Sequence, residues 1–200
     1  MKKGLISDAD YYCDHISASD GADIACFEVY DPERAYGLED YIKNYALEDE
    51  QAGVMRTYIV RDHDSDELVG YFSIKAGMVS LNERKEIDVS TGTERIYFDT
   101  MPGIEIADFA VNDVYRRNHD GIDGLGLLIF YDFILKIVRK IANDLGVKFL
   151  YIYALPYKSL ITRYSEYYHF SRLPDKLEDE LHKRLKPHYD DKCIFMYQPL

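Results

Sequence analysis

The chain has 200 residues, of which 47% are hydrophobic, and carries 24 basic against 36 acidic side chains for a formal net charge of −12. Dense periodic runs of apolar residues exclude a disordered chain, and 12 glycines with 6 prolines exclude a collagen-like or low-complexity one. The acidic balance opposes a general affinity for nucleic acid, whose phosphates are neutralised by clustered Lys and Arg, unless a local basic patch overrules it.

Residues 124–135 form the most apolar stretch, but they include Asp132 and fall short of the ~20 apolar residues that a membrane-spanning helix needs. The N-terminus, M-K-K-G-L-I-S-D, reaches an acidic residue before an apolar signal region could form. We therefore expect a cytoplasmic protein with no membrane partner.

Three cysteines, Cys13, Cys26 and Cys193, are odd in number and widely spaced, without a C-x-x-C pair. This pattern predicts buried free thiols and neither a disulfide framework nor a thiolate zinc site. The acidic run at 62–67 lacks the spacing of an EF-hand and is typical of a hairpin tip. No metal site is predicted.

The first predicted element is an amphipathic helix over residues 35–46, where apolar side chains recur at spacings of three and four. Two β-rich runs, 56–61 and 68–76, flank a polar turn and predict an antiparallel hairpin. Residues 82–94 lack a sustained apolar period and predict a loop or a ragged strand pair. The run 104–111 alternates and then becomes continuously apolar, which predicts a central strand buried on both faces.

The second half of the chain predicts a loop over 112–126, a long helix over 127–145 and a strand over 148–154. The helix has a narrow polar stripe and ends where Gly146 provides a left-handed residue. Strand, loop, helix and strand form a βαβ unit. Further helices are predicted over 159–168 and 175–185, with a last strand over 193–197. The alternation of strands and helices favours one α/β domain spanning residues 1–200.

The loop 120–126, D-G-I-D-G-L-G, lies between the central strand and the long helix. Glycines let its backbone turn tightly and direct N–H groups at a ligand, and the helix N-terminus adds a partial positive charge. Arg116 and Arg117 add two formal charges, so phosphate suits the site. The alternative is a simple turn with solvated arginines. Neither the Rossmann nor the P-loop spacing occurs in the chain.

The segments 57–60 (T-Y-I-V), 68–73 (L-V-G-Y-F-S), 105–111 and 121–126 resemble, in order and spacing, the GNAT superfamily of N-acetyltransferases. The resemblance covers roughly residues 35–170, and the segment 38–73 is most similar to the branch that includes the acetyltransferase toxins of toxin–antitoxin pairs. It implies an α/β acyl-CoA N-acyltransferase fold, in which helices flank a mixed, mostly antiparallel sheet with splayed parallel central strands. It also implies acetyl-CoA as cosubstrate and no metal.

In the GNAT pattern, the end of the central strand and a following Q/R-x-x-G-x-G/A loop hold acetyl-CoA. Gly121 stands where that pattern has Gln or Arg, and Arg116 or Arg117 is the candidate substitute. The strand end would pair with the pantetheine amides as an added strand does, and one of its N–H groups would polarise the thioester carbonyl. The resemblance thus implies these cofactor-binding residues: Phe109, Ala110, Val111, Arg116, Arg117, Gly121, Asp123, Gly124, Leu125 and Gly126.

Acetyl transfer needs a neutral amine, and a lysine-like amine with a pKa of about 10.4 therefore requires a base or a water relay. Glu105 is the candidate, because it lies six residues before Val111, where some GNAT enzymes place a general-base glutamate. Asp108 is the alternative base. In the other interpretation, the Glu105 carboxylate has a purely structural role and is not the base.

The leaving coenzyme A thiolate benefits from a proton donor, and the GNAT family often uses a tyrosine in the helix after the next strand. Tyr164 is the best match, with Tyr167 or Tyr168 as alternatives. The family's F-Y-x-x-x-G-F ending is imperfect here, because His169 stands at the glycine position.

Three functions follow from the resemblance. The first is an N-acetyltransferase that transfers acetyl directly from acetyl-CoA to a primary amine of a small molecule, peptide or protein. The second is toxin-like acetylation of aminoacyl-tRNA, which the net charge of −12 opposes. The third is a non-catalytic acyl-CoA-binding module. The acceptor is not defined by the sequence, while strand edges and 19 tyrosines favour a homodimer.

Overall fold

The computed structural model describes residues 4–120, 122–184 and 192–200. The chain divides into two compact units. The first comprises Met1–Lys75 with Ile106–Lys140, and the second comprises Ala76–Glu105 with Ile141–Leu200. One domain over residues 1–200 stays a prediction.

The N-terminal segment, for which the sequence pattern predicts no elements, is structured. It contains β1 (Ile6–Ser7), β2 (Tyr11–His15), a 3-10 turn (Ala18–Asp20) and α1 (Gly21–Ala25). The Arg61 guanidinium binds the carboxylates of Asp20 at 2.9 Å and Asp23 at 2.7 Å, which holds the beginning of α1. The contact of Arg61 with Asp20 joins residues 41 positions apart, so it has no signature in local periodicity.

The helix predicted over 35–46 is confirmed as α2 (Pro32–Asn44), and a second helix, α3 (Ala46–Ala52), follows it directly. Helix α3 ends at Gly53, whose φ of 72° lies in the left-handed region. The predicted hairpin is confirmed as β3 (Arg56–Asp62) and β4 (Leu68–Ile87), which pair antiparallel.

Strand β4 continues well past the predicted hairpin and is followed by β5 (Glu94–Val111). The sequence predicts either a loop or a ragged strand pair over residues 82–94, and the strand pair is correct. At the turn, Asp88 accepts from the N–H of Gly92 at 2.7 Å and donates its own N–H to Thr93 at 3.0 Å. This is the geometry of a glycine bulge, which the positive φ of Gly92 (67°) permits.

The prediction of a loop over residues 112–126 is wrong in part, because this segment contains α4 (Asp113–Asn118). The long helix is confirmed as three consecutive segments: α5 (Leu125–Leu128), a π-helical stretch (Ile129–Ile134) and α6 (Leu135–Leu145). Gly146 ends it with a φ of 68°, as predicted. Among the described residues, no helix has the length and apolar character needed to cross a membrane.

The second unit completes the chain. Its elements are β6 (Phe149–Ala154), α7 (Lys158–Glu166), β7 (Ser171–Arg172), α8 (Asp175–Arg184) and β8 (Ile194–Pro199). The predicted strands and helices are confirmed, although residue 185, the predicted end of α8, lies outside the described residues. Strand β7 pairs with β8 and has only two residues, too few for a periodic signal.

The strands form one sheet with the order β1-β2-β3-β4-β5-β6-β8-β7. Strands β5 and β6 are parallel and pair Gly103 to Glu105 with Phe149 to Tyr151, whereas β1–β4, β6, β7 and β8 are joined by antiparallel pairs. The predicted fold class, a mixed and mostly antiparallel sheet flanked by helices, is confirmed.

Each unit has its own apolar cluster. In the first, Phe27, Tyr71 and Ile42 are among the buried side chains beneath α2, and in the second Phe195, Leu181 and Tyr151 pack together. Cys13 and Cys193 are buried thiols, as predicted. The prediction is wrong for Cys26, which is exposed because it caps the C-terminus of the short α1.

Gly70 is a position where β4 approaches β5 closely. A Cβ at this residue would lie 2.7 Å from the carbonyl oxygen of Ala110 and 2.8 Å from Cδ1 of Ile129. Because the first of these atoms is backbone, we expect Gly70→Ala to lower the free energy of unfolding by about 1–3 kcal/mol. Urea denaturation measures this change.

Gly37 provides the matched control, because it lies in the middle of α2 and a Cβ there would meet nothing within 4 Å. Gly37→Ala should raise the free energy of unfolding by about 0.5–1 kcal/mol. Equal effects of the two substitutions would show that β4 and β5 do not pack as described.

Candidate functional site

The end of β5 is fixed by the buried side chain of Asn112. Its Nδ2 donates to the carbonyl of Leu68 at 2.8 Å, and its Oδ1 accepts from the N–H of Val114 at 3.2 Å and of Glu28 at 3.3 Å. The backbone N–H of Asn112 donates to Val69 at 2.8 Å. One side chain therefore caps α4 and joins it to β4 and to the segment before α2.

The predicted cofactor residues of the strand end lie just before this cap. Phe109 and Val111 are half-buried, while Ala110 is buried against Gly70. The parallel register of β5 with β6 ends at Glu105, and β5 continues for six further residues to Val111.

Helix α4 presents Arg116 and Arg117, and both engage the carboxylate of Asp113. Arg117 binds Asp113 and Glu28 at 2.6 Å each, so its charge is already compensated twice. Hydrogen bonding to Glu28 raises the pKa of Arg117 above its usual range. Arg116 lies 3.6 Å from Asp113 and holds its guanidinium 5.4 Å from the centre of the Tyr30 ring. The looser contact leaves Arg116 the better placed of the two to receive an anion.

A cavity of about 370 Å³ opens beside these arginines. Its lining combines two arginines, a histidine, three aspartates and two apolar side chains: Tyr30, Asp113, Arg116, Arg117, His119, Asp120, Ile122 and Asp123. Three carboxylates against two guanidinium groups give the lining no excess of positive charge. Phosphate recognition in this loop would therefore depend on backbone N–H groups more than on arginine side chains.

The glycine turn supplies such N–H groups. Gly124 has a φ of 79° and precedes the first turn of α5. The N–H of Leu128 donates to the carbonyl of Gly124 at 3.0 Å, so helical geometry leaves the preceding N–H groups without an intrahelical acceptor. Asp123 and Gly124 are exposed, Gly126 is half-buried and Leu125 is buried as an anchor. Gly121 lies outside the described residues.

Asp108 belongs to a polar cluster of the first unit. Its carboxylate accepts from the Ser73 hydroxyl at 2.7 Å, and Tyr41 contacts Thr57 in the same region at 3.1 Å. Burial raises the pKa of Tyr41 to about 12, and the negative charge of Asp108 contributes. Through Ser73, the Asp108 carboxylate links β4 to β5.

Glu105 lies in the second unit and is 5% exposed. It is a hydrogen-bond partner of Tyr151, the residue opposite it on β6. Burial raises the pKa of the Tyr151 phenol well above its usual range, and the charge of Glu105 adds to the effect. The carboxylate is therefore held by a phenol that stays protonated.

Tyr164 lies on α7 in the same unit, and its ring packs 5.4 Å from that of Tyr168 and 5.7 Å from that of Phe170. Burial raises the pKa of its phenol well above its usual range, which keeps the proton available at neutral pH. Of the alternatives, Tyr168 is buried and Tyr167 is 55% exposed. Glu105 and Tyr164 therefore both lie in the second unit.

His169 departs from the glycine of the family ending but takes a conformation that glycine adopts readily, with a φ of 58°. The turn closes when the N–H of Phe170 donates to the carbonyl of Tyr164 at 3.0 Å. The departure in sequence is therefore accommodated in the backbone.

Sequence reasoning missed Tyr30, Glu28 and His119, which complete the arginine cluster and the cavity. Tyr30 and Glu28 come from the segment without predicted elements, and His119 from the loop that proved to contain a helix. Among the described residues, no group of three or more His, Cys, Asp or Glu side chains is arranged to hold a metal ion.

No family model matches the chain. Among solved structures, it is similar to a tyrosine-to-phenylalanine mutant of the toxin AtaT bound to the C-terminus of the antitoxin AtaR and acetyl-CoA. The two sequences are 14% identical, the match covers 96% of this chain and 94% of that chain, and the TM-score is 0.62. It is also similar to a tyrosine-to-phenylalanine mutant of KacT (14% identity, 96% and 95% covered, TM-score 0.57). AtaT complexed with acetyl-methionyl-tRNAfMet is a third (14% identity, 95% and 95% covered, TM-score 0.58).

The chain has the GNAT fold. The predicted resemblance is confirmed as a likeness of fold to solved toxin structures, and this likeness extends over nearly the whole chain rather than over residues 35–170 alone. A sequence identity of 14% with a solved structure supports the fold only. The activity must therefore be argued from the residues of the site.

Proposed function

We propose that the chain is an acetyl-CoA-dependent N-acetyltransferase that transfers the acetyl group directly to a primary amine. The observation that carries the proposal is the glycine turn at Gly124, placed between the end of β5 and a long helix in a GNAT fold. That acetyl-CoA is bound in a similar toxin structure supports the same ligand here.

In the proposed complex, the N–H groups of Leu125, Gly126 and Leu127 bind the pyrophosphate, because they lie at the positive end of the helix dipole. Arg116 leaves the Tyr30 ring to contribute a charge-assisted hydrogen bond. The backbone of Phe109, Ala110 and Val111 pairs with the pantetheine amides, and one N–H polarises the thioester carbonyl.

The chemical step joins the acceptor nitrogen to the thioester carbon and breaks the carbon–sulfur bond. Glu105 takes the amine proton, directly or through a water, and Tyr164 gives its phenolic proton to the departing thiolate. Burial raises the pKa of Tyr164, so the phenol carries its proton at neutral pH and is in the form that can donate. That two solved neighbours were studied as tyrosine-to-phenylalanine variants supports a tyrosine in this role.

Isothermal titration with acetyl-CoA and release of free thiol in the presence of an amine panel test the proposal together. Saturable binding with amine-dependent thiol release supports the enzyme. Binding without release on any amine would instead favour the acyl-CoA-binding module, and no binding would refute both.

A second candidate is acetylation of aminoacyl-tRNA, which is favoured by the similarity to AtaT complexed with acetyl-methionyl-tRNAfMet. The polar stripe of α6 supplies a local basic surface in an acidic protein, since Lys136, Arg139 and Lys140 are all exposed. An α-amino group has a pKa of about 7.7–8.0, so this acceptor needs less help from a base than lysine does.

A translation extract separates the two candidates. If the second holds, the protein blocks synthesis only when acetyl-CoA is present. The triple variant Lys136→Glu, Arg139→Glu and Lys140→Glu should then lose the block while it still binds acetyl-CoA, because the phosphate contacts are lost and the glycine turn is untouched. An extract that the protein leaves unaffected would remove aminoacyl-tRNA as the acceptor.

A further inference from the structure

His119 lies at the end of α4, five residues before Gly124 of the glycine turn. Its ring contacts Tyr115 and Glu67, which belong to the first unit as His119 does. Nδ1 lies 3.0 Å from the carbonyl oxygen of Tyr115, and Nε2 lies 3.3 Å from a carboxylate oxygen of Glu67. The ring also stacks on that of Tyr115, with 4.1 Å between the ring centres. We call these three residues the His119 cluster.

Both ring nitrogens of His119 face oxygen atoms that can only accept hydrogen bonds. A carbonyl and a carboxylate have no proton to donate, so each nitrogen must carry one to bind its partner. A neutral imidazole has a single N–H and satisfies one of the two acceptors, whereas the imidazolium satisfies both. The negative face of the Tyr115 ring favours the same cationic form. The His119 cluster is therefore complete only when His119 is protonated.

The other titratable groups around His119 keep their charge in the range where histidine changes its own. Burial, together with the hydrogen bond that its phenol donates to Asp62 at 2.6 Å, raises the pKa of Tyr115 well above its usual range. Carboxylates and guanidinium groups ordinarily stay charged between about pH 5.5 and 8, whereas imidazole titrates there. Besides Asp62, the groups that share the cavity with His119 are Tyr30, Asp113, Arg116, Arg117, Asp120 and Asp123.

The His119 cluster fixes the point at which the chain leaves α4. The carbonyl of Tyr115 accepts from the backbone N–H of His119 at 3.1 Å as well as from its ring. Glu67 is held by the hairpin of β3 and β4, because its carbonyl accepts from the N–H of Asp62 at 3.1 Å. Protonated His119 thus joins the beginning of the segment that leads to Gly124 to the hairpin.

We propose that His119 is a positioning residue for the glycine turn and that it acts in its protonated form, with Glu67 as its partner. When the pH rises, the ring loses the N–H that Glu67 accepts, and the segment is released from the hairpin. This inference rests on the proposed function, in which the glycine turn binds the pyrophosphate. The affinity for acetyl-CoA then depends on pH through a side chain that acts on the position of the turn.

A double-mutant cycle measures the contact without any ligand. His119→Phe keeps a ring on Tyr115 but removes both ring N–H groups, and Glu67→Ala removes the carboxylate. Urea unfolding of the wild type, the single variants and the double variant should give a coupling of about three- to fivefold in the unfolding equilibrium constant at about pH 5.5. The coupling should disappear at about pH 8, because a group that gains an acceptor on folding stabilises the fold only while it is protonated.

Hydrogen exchange of the ligand-free protein measures the effect on the segment. At about pH 5.5, the amides of residues 122–126 should exchange about threefold faster in His119→Phe than in the wild type, because the segment opens more often. The Kd for acetyl-CoA should rise by about the same factor, since a smaller fraction of the protein is competent to bind. At about pH 8 both differences should shrink, because the wild type has itself lost the contact with Glu67.

Glu67→Gln is the conservative variant that should restore the contact at high pH. Its amide oxygen accepts from the protonated ring, and its amide nitrogen donates to the neutral one. Glu67→Gln should therefore match the wild type at about pH 5.5 and bind acetyl-CoA about threefold more tightly at about pH 8. The comparison of the two proteins at the same pH cancels the ionisation of the phosphates of the ligand.

His15→Phe is the matched control. His15 also stacks on a tyrosine, with 4.4 Å to the ring centre of Tyr58, and pairs with a glutamate, Glu50, at 3.1 Å, but it lies on β2. It should leave the exchange of residues 122–126 and the Kd unchanged. A coupling that is absent at about pH 5.5 or persists at about pH 8 overturns the proposal, as does a coupling without any change in hydrogen exchange. A wild type that binds no acetyl-CoA refutes the proposed function, while the coupling and the hydrogen exchange still decide whether His119 positions the segment.

Discussion

Gly124→Leu is expected to lower the affinity for acetyl-CoA by about two orders of magnitude, which corresponds to about 2.7 kcal/mol. Gly124 has a φ of 79°, and a Cβ there would enter open space in front of the first turn of α5. The substitution therefore strains the backbone and places a side chain where the pyrophosphate is proposed to approach the N–H groups. Isothermal titration of the variant against the wild type measures the loss.

Gly146→Leu separates ligand exclusion from backbone strain. Gly146 has a φ of 68° and a Cβ there would also meet nothing within 4 Å, but it lies at the end of α6 instead of the glycine turn. Both variants should lose a similar stability of about 1–2 kcal/mol, the cost of a side chain in the left-handed region. Only Gly124→Leu should lose affinity. If Gly146→Leu weakened binding as strongly, the glycine turn would not be the cofactor site.

Tyr164→Phe is expected to reduce kcat roughly 100-fold or more with little change in the Kd for acetyl-CoA, because a general acid contributes to the chemical step and not to binding. The phenylalanine ring retains the packing against Tyr168 and Phe170, so the fold should persist. Steady-state kinetics with the best acceptor measures the effect. Tyr167→Phe and Tyr168→Phe should keep their activity. If one of them instead lost activity while Tyr164→Phe kept it, the general acid would be that tyrosine and not Tyr164.

The pH dependence provides a second readout for Tyr164. The protonated phenol is the donor, and its pKa is raised by burial, so activity is present at neutral pH and is lost only when the pH rises through the raised pKa. Inactivation from this group should therefore begin above the ordinary tyrosine value of about 10. An alkaline limb centred below that value would belong to another group.

Substitution of Glu105 is expected to change the pH dependence of activity in a different way from substitution of Tyr164. Glu105→Gln retains a partner for Tyr151 and should preserve the fold, but it removes the proposed base. With a lysine-like acceptor, kcat/KM should fall at neutral pH and recover as the pH rises and the amine loses its own proton. A pH-independent effect would instead identify Glu105 as the structural partner of Tyr151.

Local sequence patterns determined most of the regular structure. The hairpin of β3 and β4, the central strand β5, the long helix and β6 all follow from apolar periodicity, which depends only on near neighbours in the chain. The left-handed Gly146 was predictable for the same reason, because a glycine after the last turn of a helix is a short sequence signature. The GNAT resemblance rests on these elements.

The tertiary structure decided the features that depend on distant residues. Arg117 was predicted as a phosphate ligand, yet Glu28, 89 positions away, already binds it, and Asp113 does so as well. Tyr30 at the cavity gave no signal in a chain with 19 tyrosines. The N-terminal strands, the exposure of Cys26 and the full length of β4 and β5 were likewise not predictable. Periodicity reports which face of an element is apolar, whereas the partner that covers that face, or leaves it exposed, is chosen only when distant segments pack.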